Sequence, residues 1–392
     1  MVIDRRRFLA GVSAALVDAR IAHGAAPMTT LFLCGDVMTG RGIDQIMTKP
    51  GKPHLYESYV RSATRYVEIA ERATGPIVRP VSASYIWGDA LAELDRVRPS
   101  ARIVNLETSV TTSEDAWPGK AIHYRMHPAN VDCLKAARLD CCSLANNHVL
   151  DWGYRGLAET IGALRAAGIR TAGAGGDQDE ALAPAIIELA GGRRVIVFAF
   201  GTDSAGVPHE WAATKERAGV AYLPDLAPST AQAIAARVQA VKRIGDIVVV
   251  SIHWGGNWGY EVTRAQRAFA RLLVDGGVDV VHGHSSHHPK AIEIHRDRPI
   301  LFGCGDFLND YEGIGGYERY RGELGLMYFP VFGASRALER FTLVPTRVRH
   351  LRVNRARGED VAWLATMLTR EGAAFGTRVV HEPDDTLTVH WR

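Results

Sequence analysis

The stretch Thr30-Leu-Phe-Leu-Cys-Gly-Asp36 sets the pattern on which the fold prediction rests. Its apolar residues follow one another without polar interruption, which indicates a strand buried on both faces of a sheet. Gly35 and Asp36 end the apolar run, so the predicted strand leads directly into a loop that carries a carboxylate. The same order, an apolar run followed by polar side chains, recurs at residues 102–107, 141–148, 247–253, 278–284 and 300–306.

Helical patterns separate these predicted strands, at residues 127–140, 157–168, 230–243 and 265–274. Buried strands that alternate with helices predict an α/β fold with a mostly parallel sheet flanked by helices. Beyond Leu324 the apolar runs are joined by short turns, which predicts a second, partly antiparallel sheet. Residues 50–98 interrupt the alternation, and we expect them to form an insertion over one end of the sheet.

Composition excludes several classes of protein. The chain has 392 residues, of which 47% are hydrophobic and 23% charged, so intrinsic disorder is excluded. Its 46 basic and 43 acidic residues give a net charge of +3 without a basic cluster, which excludes a nucleic-acid partner. No apolar stretch approaches the roughly 20 residues of a membrane span. The five cysteines show no CxxC spacing and are predicted to be buried in the core.

Residues 1–27 have the features of an export signal. Arg5-Arg6-Arg7-Phe8-Leu9 matches the twin-arginine pattern, and a short apolar run and small residues follow it. Asp18 and Arg20 interrupt the apolar run, so the alternative is a basic N-terminal helix that stays on the protein. We predict export to the periplasm or the extracellular space.

The ends of the predicted strands carry side chains that bind metals. Ligands of α/β sheets lie outside the carboxyl ends of the strands, so residues at these positions are expected to meet. A mixture of carboxylate, amide and imidazole suits one or two divalent ions such as Mn, Fe, Zn or Mg. Two ions need a bridging carboxylate, which Glu107 or Asp36 could provide. The candidate metal ligands are Asp36, Glu107, Asn147, His253, His284 and His287.

Each candidate also has a purely structural explanation. Asp36 could cap the helix that follows its strand, and His253 could be a hydrogen-bonded residue beneath aromatic side chains. We expect His282 and His288 to be structural. The acidic loop that contains Asp306 is predicted to form the rim of a pocket, with structural and functional roles equally open.

The strand-end motifs together resemble the CapA/PgsA family of poly-γ-glutamate capsule biosynthesis proteins. This family belongs to the calcineurin-like metallophosphoesterase superfamily. The resemblance extends from about Thr30 to Asp310. It rests on the motifs Gly35-Asp36-Val37-Met38 with Arg41, Asn105-Leu106-Glu107-Thr108, Ser143-Leu144-Ala145-Asn146-Asn147-His148 with Asp151, His253-Trp254-Gly255, and Gly283-His284 with His287.

The resemblance implies a four-layer α-β-β-α sandwich of two mixed sheets, with residues 28–392 forming one CapA-like domain. It also implies that Asp36 begins the site, that Glu107 bridges the metals and that Asn147 binds metal. His148 is implied as the proton donor. Arg41, next to the site, is expected to hold a carboxylate or phosphate oxygen.

Two familiar ligand positions of the superfamily are changed in this chain. Met38 stands where a histidine usually follows the first aspartate, and Ser285 stands where the first histidine of the final pair is expected. His284 could substitute for the latter. Three occupancies therefore stay open: a full binuclear centre, a centre with a weakly bound second ion, and a centre with a single ion.

Two classes of function fit these observations. The first is an exported metal-dependent hydrolase or transferase that acts on a phosphoester or a glutamyl amide, with His148 as acid. The second is a non-catalytic accessory protein that binds anionic polymer during capsule synthesis or export. Membrane proteins of capsule synthesis are the partners expected for it. Trp254 and Tyr260, next to His253, are predicted to line the mouth of the pocket.

Overall fold

Two β-sheets pack face to face, with helices on both outer sides, in the computed structural model of the protein, which describes residues 28–392. The predicted export signal at residues 1–27 lies outside the described residues. The larger sheet has the strand order β19-β20-β17-β16-β1-β2-β5-β6, with β15 beside β1 and β18 beside β17. Its strands are β1 Thr29–Val37, β2 Ala101–Leu106, β5 Cys141–Ser143, β6 Arg170–Ala172, β15 Asp306–Leu308, β16 Leu324–Phe332, β17 Leu338–Arg349, β18 Arg352–Arg355, β19 Thr377–His381 and β20 Leu387–Trp391.

The smaller sheet is parallel at its centre and antiparallel at both edges. Its order is β13-β14-β12-β11-β9-β8. The strands are β8 Ala185–Glu188, β9 Arg194–Gly201, β11 Ile247–His253, β12 Val280–His284, β13 Ile292–His295 and β14 Arg298–Leu301. Two short pairs lie outside both sheets, β3 Ser109–Val110 with β4 Arg125–Met126 and β7 Ala174–Gly175 with β10 Gly219–Val220.

The helices lie in two outer layers, apart from α9, which packs against β13 and β19. α8 begins with a capping box in which Thr263 and Gln266 exchange hydrogen bonds. The helices are α1 Gly42–Ile46, α2 Thr64–Thr74, α3 Ala90–Val97, α4 Asp132–Ala136, α5 Gly153–Ala166, α6 Gln178–Leu182, α7 Pro228–Val241, α8 Arg264–Asp275 and α9 Glu359–Gly372.

The central strands are buried on both faces, which explains their uninterrupted apolar sequence. Leu31 and Leu33 of β1 point toward the other sheet and join one core with Val195 and Val249. Phe32 and Cys34 point the other way, toward the helical layer that covers the larger sheet. A third core joins the outer face of the smaller sheet to α7 and α8. The predicted four-layer α-β-β-α fold is confirmed.

Three predictions about the elements are wrong in part. The strands beyond Leu324 do not form a separate sheet, because β16 pairs antiparallel with β1 and so extends the larger sheet. The helix predicted over 127–140 is shortened to a 3-10 turn and α4, and it ends early because Arg138 adopts a left-handed backbone conformation with a φ of +52°. Much of the 50–98 segment covers the outer face of the larger sheet instead of one end, where Trp87 and Leu94 are buried.

Among residues 28–392, no helix is long and apolar enough to span a membrane. All five cysteines are buried and free of disulfide bonds, as predicted.

Candidate metal centre

The carboxyl ends of β1 and β2 meet those of β11 and β12 where the two sheets pack together. The parallel register places Asp36 beside Asn105 in one sheet and His253 beside His284 in the other. One ligand atom each of Asp36, His253 and His284 lies within 4.8 Å of the others. His253 Nδ1 is 2.8 Å from His284 Nδ1, and His284 Nδ1 is 4.0 Å from Asp36 Oδ1.

Glu107 and Asn147 complete this side of the cluster. Glu107 Oε1 lies 3.9 Å from His253 Nε2, and Asn147 Oδ1 lies 3.0 Å from the same nitrogen. The buried amide of Asn105 donates to Asp36 at 2.7 Å and to Glu107 at 3.5 Å, so it holds the two carboxylates side by side. These predicted residues therefore lie close together in space, although they are far apart along the chain.

Asp306, which the sequence predicts only at the rim of a pocket, belongs to the same cluster. β15 pairs parallel with β1 so that Asp306 stands opposite Asp36. Its Oδ1 is 2.9 Å from His287 Nδ1, and Asp36, His287 and Asp306 form a second group of ligand atoms within 4.8 Å. The signal was present in the sequence, since Asp306 follows an apolar run and a glycine just as Asp36 does.

Met38 and Ser285, which stand where the resemblance implies metal-binding histidines, have other roles. Met38 is fully buried and contacts the Tyr311 hydroxyl. Ser285 has a φ of +103° and donates its backbone N–H to Asp36 Oδ2 at 3.2 Å, while its hydroxyl donates to the carbonyl of Gly255. Its backbone, and not its side chain, therefore supports the cluster.

His148 borders the cluster and is oriented from behind. Its Nδ1 is 2.7 Å from Asp151 Oδ2, so the ring proton lies on Nδ1 and Nε2 faces Glu107 Oε1 at 3.7 Å. Lys120 pairs with Asp151 at 2.8 Å and donates to the carbonyl of Asn147 at 2.5 Å. Burial lowers the pKa of His148 to about 4 although Asp151 opposes the shift, so the ring is neutral near pH 7.

The cluster carries more negative charge than its surroundings compensate. Burial raises the pKa of Asp36 to about 7, and the nearby Asp306 carboxylate adds to the shift. Burial and the proximity of Asp36 hold the pKa of Glu107 well above its ordinary value. Burial lowers the pKa of His253 and of His284, so these rings present neutral imidazole nitrogens.

The buried carboxylates of residues 28–392 allow a direct test of whether a cation fits here. Ten Asp and Glu side chains are buried. Six pair with Lys or Arg, namely Glu57, Asp151, Asp246, Asp279, Glu293 and Asp310. Asp44 instead accepts hydrogen bonds from backbone and amide groups. The three that remain, Asp36, Glu107 and Asp306, have only imidazoles as ion-pair partners.

Buried carboxylates are costly unless a cation compensates them. Their concentration at this one place, with three imidazoles and an amide oxygen, is the ligand set of a hard to borderline divalent ion. The residues present therefore fit a metal ion.

Arg41 does not have the predicted freedom to hold a substrate oxygen. Its guanidinium makes a bidentate pair with Asp310, at 3.1 and 2.5 Å, and a second ion pair with Glu57 at 2.8 Å. It also lies 3.8 Å above the Tyr66 ring and 4.5 Å above the Tyr124 ring. We therefore assign Arg41 to holding the loop of Asp310 in place.

The predicted pocket-mouth aromatics are also partly wrong. Trp254 is only 2% exposed and packs with Phe269 and Phe302 in the core beneath the smaller sheet. Tyr260 is half-buried and packs against His288. Trp258 takes the predicted place, since it lines a cavity and stacks on Tyr317 with ring centroids 4.1 Å apart.

This cavity has a volume of about 740 Å³ and opens beside the metal cluster. His287 and Asp306 lie in its wall, and so do Arg41, Tyr66, Trp258, Tyr311, Arg347 and Arg349. The wall also holds the carboxylates of Glu312, Glu318 and Glu323, so this aromatic cavity suits an organic ligand that carries several polar groups.

His282 and His288 are structural, as expected. His282 Nε2 donates to the carbonyl of Cys34 at 2.8 Å and so joins the two sheets. His288 accepts from the N–H of Gly259 and stacks on Tyr320.

The four-layer α-β-β-α fold, with a carboxylate–histidine cluster where the strand ends of the two sheets meet, defines the class of sandwich proteins to which the chain belongs. Within that class, the chain belongs to the family of the bacterial capsule synthesis protein PGA_cap, which it matches over residues 30–311. The strands beyond that match, β16 to β20, complete the larger sheet.

Named relatives agree with this family. A polyglutamine synthesis accessory protein of Mycobacterium tuberculosis is 48% identical over 93% of this chain and 97% of its own length. The PGA biosynthesis protein CapA of Bacillus subtilis is 26% identical over 70% of this chain and 62% of its own. The capsule biosynthesis protein CapA of Bacillus anthracis is 26% identical over 74% of this chain and 62% of its own.

Proposed function

We propose that the protein is an exported metal-dependent hydrolase or transferase of poly-γ-glutamate synthesis or processing. The observation that carries the proposal is the set of three buried carboxylates that, among the described residues, have only imidazoles as ion-pair partners and lie beside a cavity lined by aromatic rings. The names of the relatives support the polymer, and the features of residues 1–27 support export. Membrane proteins of capsule synthesis are the expected partners.

The ligands of this proposal are Asp36, Glu107, Asn147, His253, His284, and His287. A bound divalent ion of the Mn, Fe, Zn or Mg kind would polarise the scissile carbonyl or phosphoryl group and activate a water molecule. Asn105 holds Asp36 and Glu107 in their relative positions.

His148 is the proposed acid of the reaction. Because Asp151 holds the ring proton on Nδ1, the neutral ring would first accept a proton at Nε2, from the attacking water, and then donate that proton to the leaving group. Lys120 keeps Asp151 and the backbone of Asn147 in place behind the ring. On the cavity side, the exposed Arg349 would attract the carboxylates or phosphates of the substrate, whereas Arg347 is paired with Asp360 at 3.0 Å.

A second candidate is a non-catalytic accessory protein that uses the same cluster and cavity to bind anionic polymer. The observation that favours it is the absence of ligand side chains at Met38 and Ser285. A weakened centre would hold an ion for polymer binding without activating water.

The two candidates are separated by measuring metal content, polymer binding and turnover on the same purified protein. Poly-γ-glutamate chain length and p-nitrophenyl phosphate hydrolysis report the two reaction types. For an enzyme, His148→Ala should reduce turnover by about 10² or more while metal content is unchanged. Metal and polymer binding without turnover on either substrate would establish the accessory role. A protein that takes up no divalent ion would refute both forms of the centre.

A further inference from the structure

Asp306 is the one residue of the cluster to which neither the motifs nor the family resemblance gave a role at the metal. It begins β15, a strand of three residues, and it is 2% exposed. The parallel register with β1 fixes it opposite Asp36, and the amide of Asn309 donates to its Oδ2 at 2.7 Å. Its position is therefore set by the backbone and by a neighbouring side chain, as in a preformed ligand.

A purely structural role does not explain this position. A carboxylate that only oriented His287 would need a single hydrogen bond to that ring, which Asp306 makes at 2.9 Å. Asp306 is also held near the Asp36 carboxylate, with ligand atoms of the two residues and His287 within 4.8 Å of one another. Two buried like charges repel each other, so this arrangement is unfavourable unless a cation lies between them.

Asp306 lies on the side of the cluster where two metal-binding side chains are absent. Met38 and Ser285 leave the Asp36 side of the cluster without two side chains that could bind a metal. Asp306 and His287 are on that same side, and both line the cavity.

We propose that Asp306 is a metal ligand and that, with Asp36 and His287, it forms the half of the centre that borders the cavity. This inference rests on the proposed metal centre and adds a ligand to it. Two carboxylates and one imidazole favour a hard to borderline ion such as Mn²⁺, Fe²⁺ or Mg²⁺ over ions that prefer thiolates.

The test is a calorimetric titration of the chelator-treated full chain with Mn²⁺. Wild type is compared with Asp306→Asn and with the control Asp279→Asn. Asp279 is also a buried aspartate, but it pairs with Lys242 and Arg298 and lies just before β12, at the end opposite His284. We expect Asp306→Asn to lose one equivalent of Mn²⁺ or to weaken its binding at least about tenfold. Asp279→Asn should bind Mn²⁺ as wild type does.

Thermal melting of the metal-free proteins gives an independent result. The stabilisation of Asp306→Asn by Mn²⁺, measured relative to its own metal-free melting temperature, should be smaller than that of wild type because the variant lacks one ligand. Unchanged Mn²⁺ stoichiometry and affinity in Asp306→Asn would overturn the proposal while leaving the metal centre intact. Absence of Mn²⁺ binding in wild type would overturn both.

Wild-type crystals soaked in Mn²⁺ keep the test independent of any variant. An anomalous peak within about 2.5 Å of an Asp306 oxygen is the expected result. A peak bound by His287 but more than about 3 Å from Asp306 would show that this aspartate only orients the imidazole, and would overturn the proposal.

Discussion

Replacing Arg41 with Met should destabilise the protein strongly, because the structure gives this arginine a buried ion-pair role. The guanidinium donates three hydrogen bonds to two buried carboxylates, those of Asp310 and Glu57. The arginine is itself buried, so it lacks the exposure that a substrate-binding group needs. Tyr66 also donates to Glu57, but its neutral hydroxyl cannot replace the positive charge of Arg41. The variant leaves both carboxylates buried without their partner.

Breaking a buried pair in this way costs about 3–5 kcal/mol. The entropy of unfolding is about 2.1 cal/mol/K per residue, which gives about 0.8 kcal/mol/K for 392 residues. The quotient predicts a melting temperature about 4–6 °C below wild type. Arg41→Lys keeps the charge but not the bidentate geometry, so we expect about half of that loss.

The assay is differential scanning calorimetry in the presence of a chelator, so that metal binding does not contribute. Arg349→Met is the matched control, because Arg349 lines the same cavity with an exposed side chain. Its melting temperature should change by less than about 1 °C. If Arg41→Met melts within 1 °C of wild type, Arg41 is not held as described and its role in binding substrate is reinstated.

Three further predictions test other parts of the molecule. Glu107→Gln should weaken Mn²⁺ binding at least about tenfold in calorimetry, whereas His148→Ala should leave it unchanged; equal effects would contradict their different roles. Trp254→Ala should lower the free energy of unfolding by about 3–5 kcal/mol, whereas Trp258→Ala should chiefly weaken polymer binding; the reverse would show that the cavity wall is misassigned. Changing the Arg5-Arg6 pair to Lys should stop export of a secreted reporter, and unchanged export would exclude the twin-arginine signal.

The sequence was sufficient for the alternation of strands and helices and for much of the cluster because both follow from local rules, whereas the four-layer sandwich was implied by the family resemblance. A strand buried on both faces has a continuous apolar sequence, and its carboxyl end is where a ligand-binding side chain is placed. Asp36 and His253 could be identified by that rule alone. The rule could not state that β16 returns to pair with β1, since that contact joins segments almost 300 residues apart.

The errors have equally specific causes. Successive side chains of a strand point to opposite faces, so His253 at the site places Trp254 in the core on the other side. Arg41 is different, because its acidic partners Glu57 and Asp310 come from remote segments that no local pattern connects to it.

The geometry of the centre depends on the packing of the two sheets against each other. His282 of β12 donates to the carbonyl of Cys34 in β1, two residues before Asp36. The hydroxyl of Ser251 lies 3.1 Å from the other nitrogen of His282 and 2.8 Å from His284 Nε2. Because Ser251 occupies Nε2, Nδ1 is the atom that His284 turns toward Asp36.

One chain of hydrogen bonds therefore runs from the backbone of the larger sheet to an imidazole of the smaller sheet. It couples the distance between the sheets to the position of His284 relative to Asp36, which belong to different sheets. Side chains so buried in a close-packed interior cannot reorient independently. The carboxylate and imidazole groups are thus held in place before any ion binds, which would strengthen binding by the proposed centre.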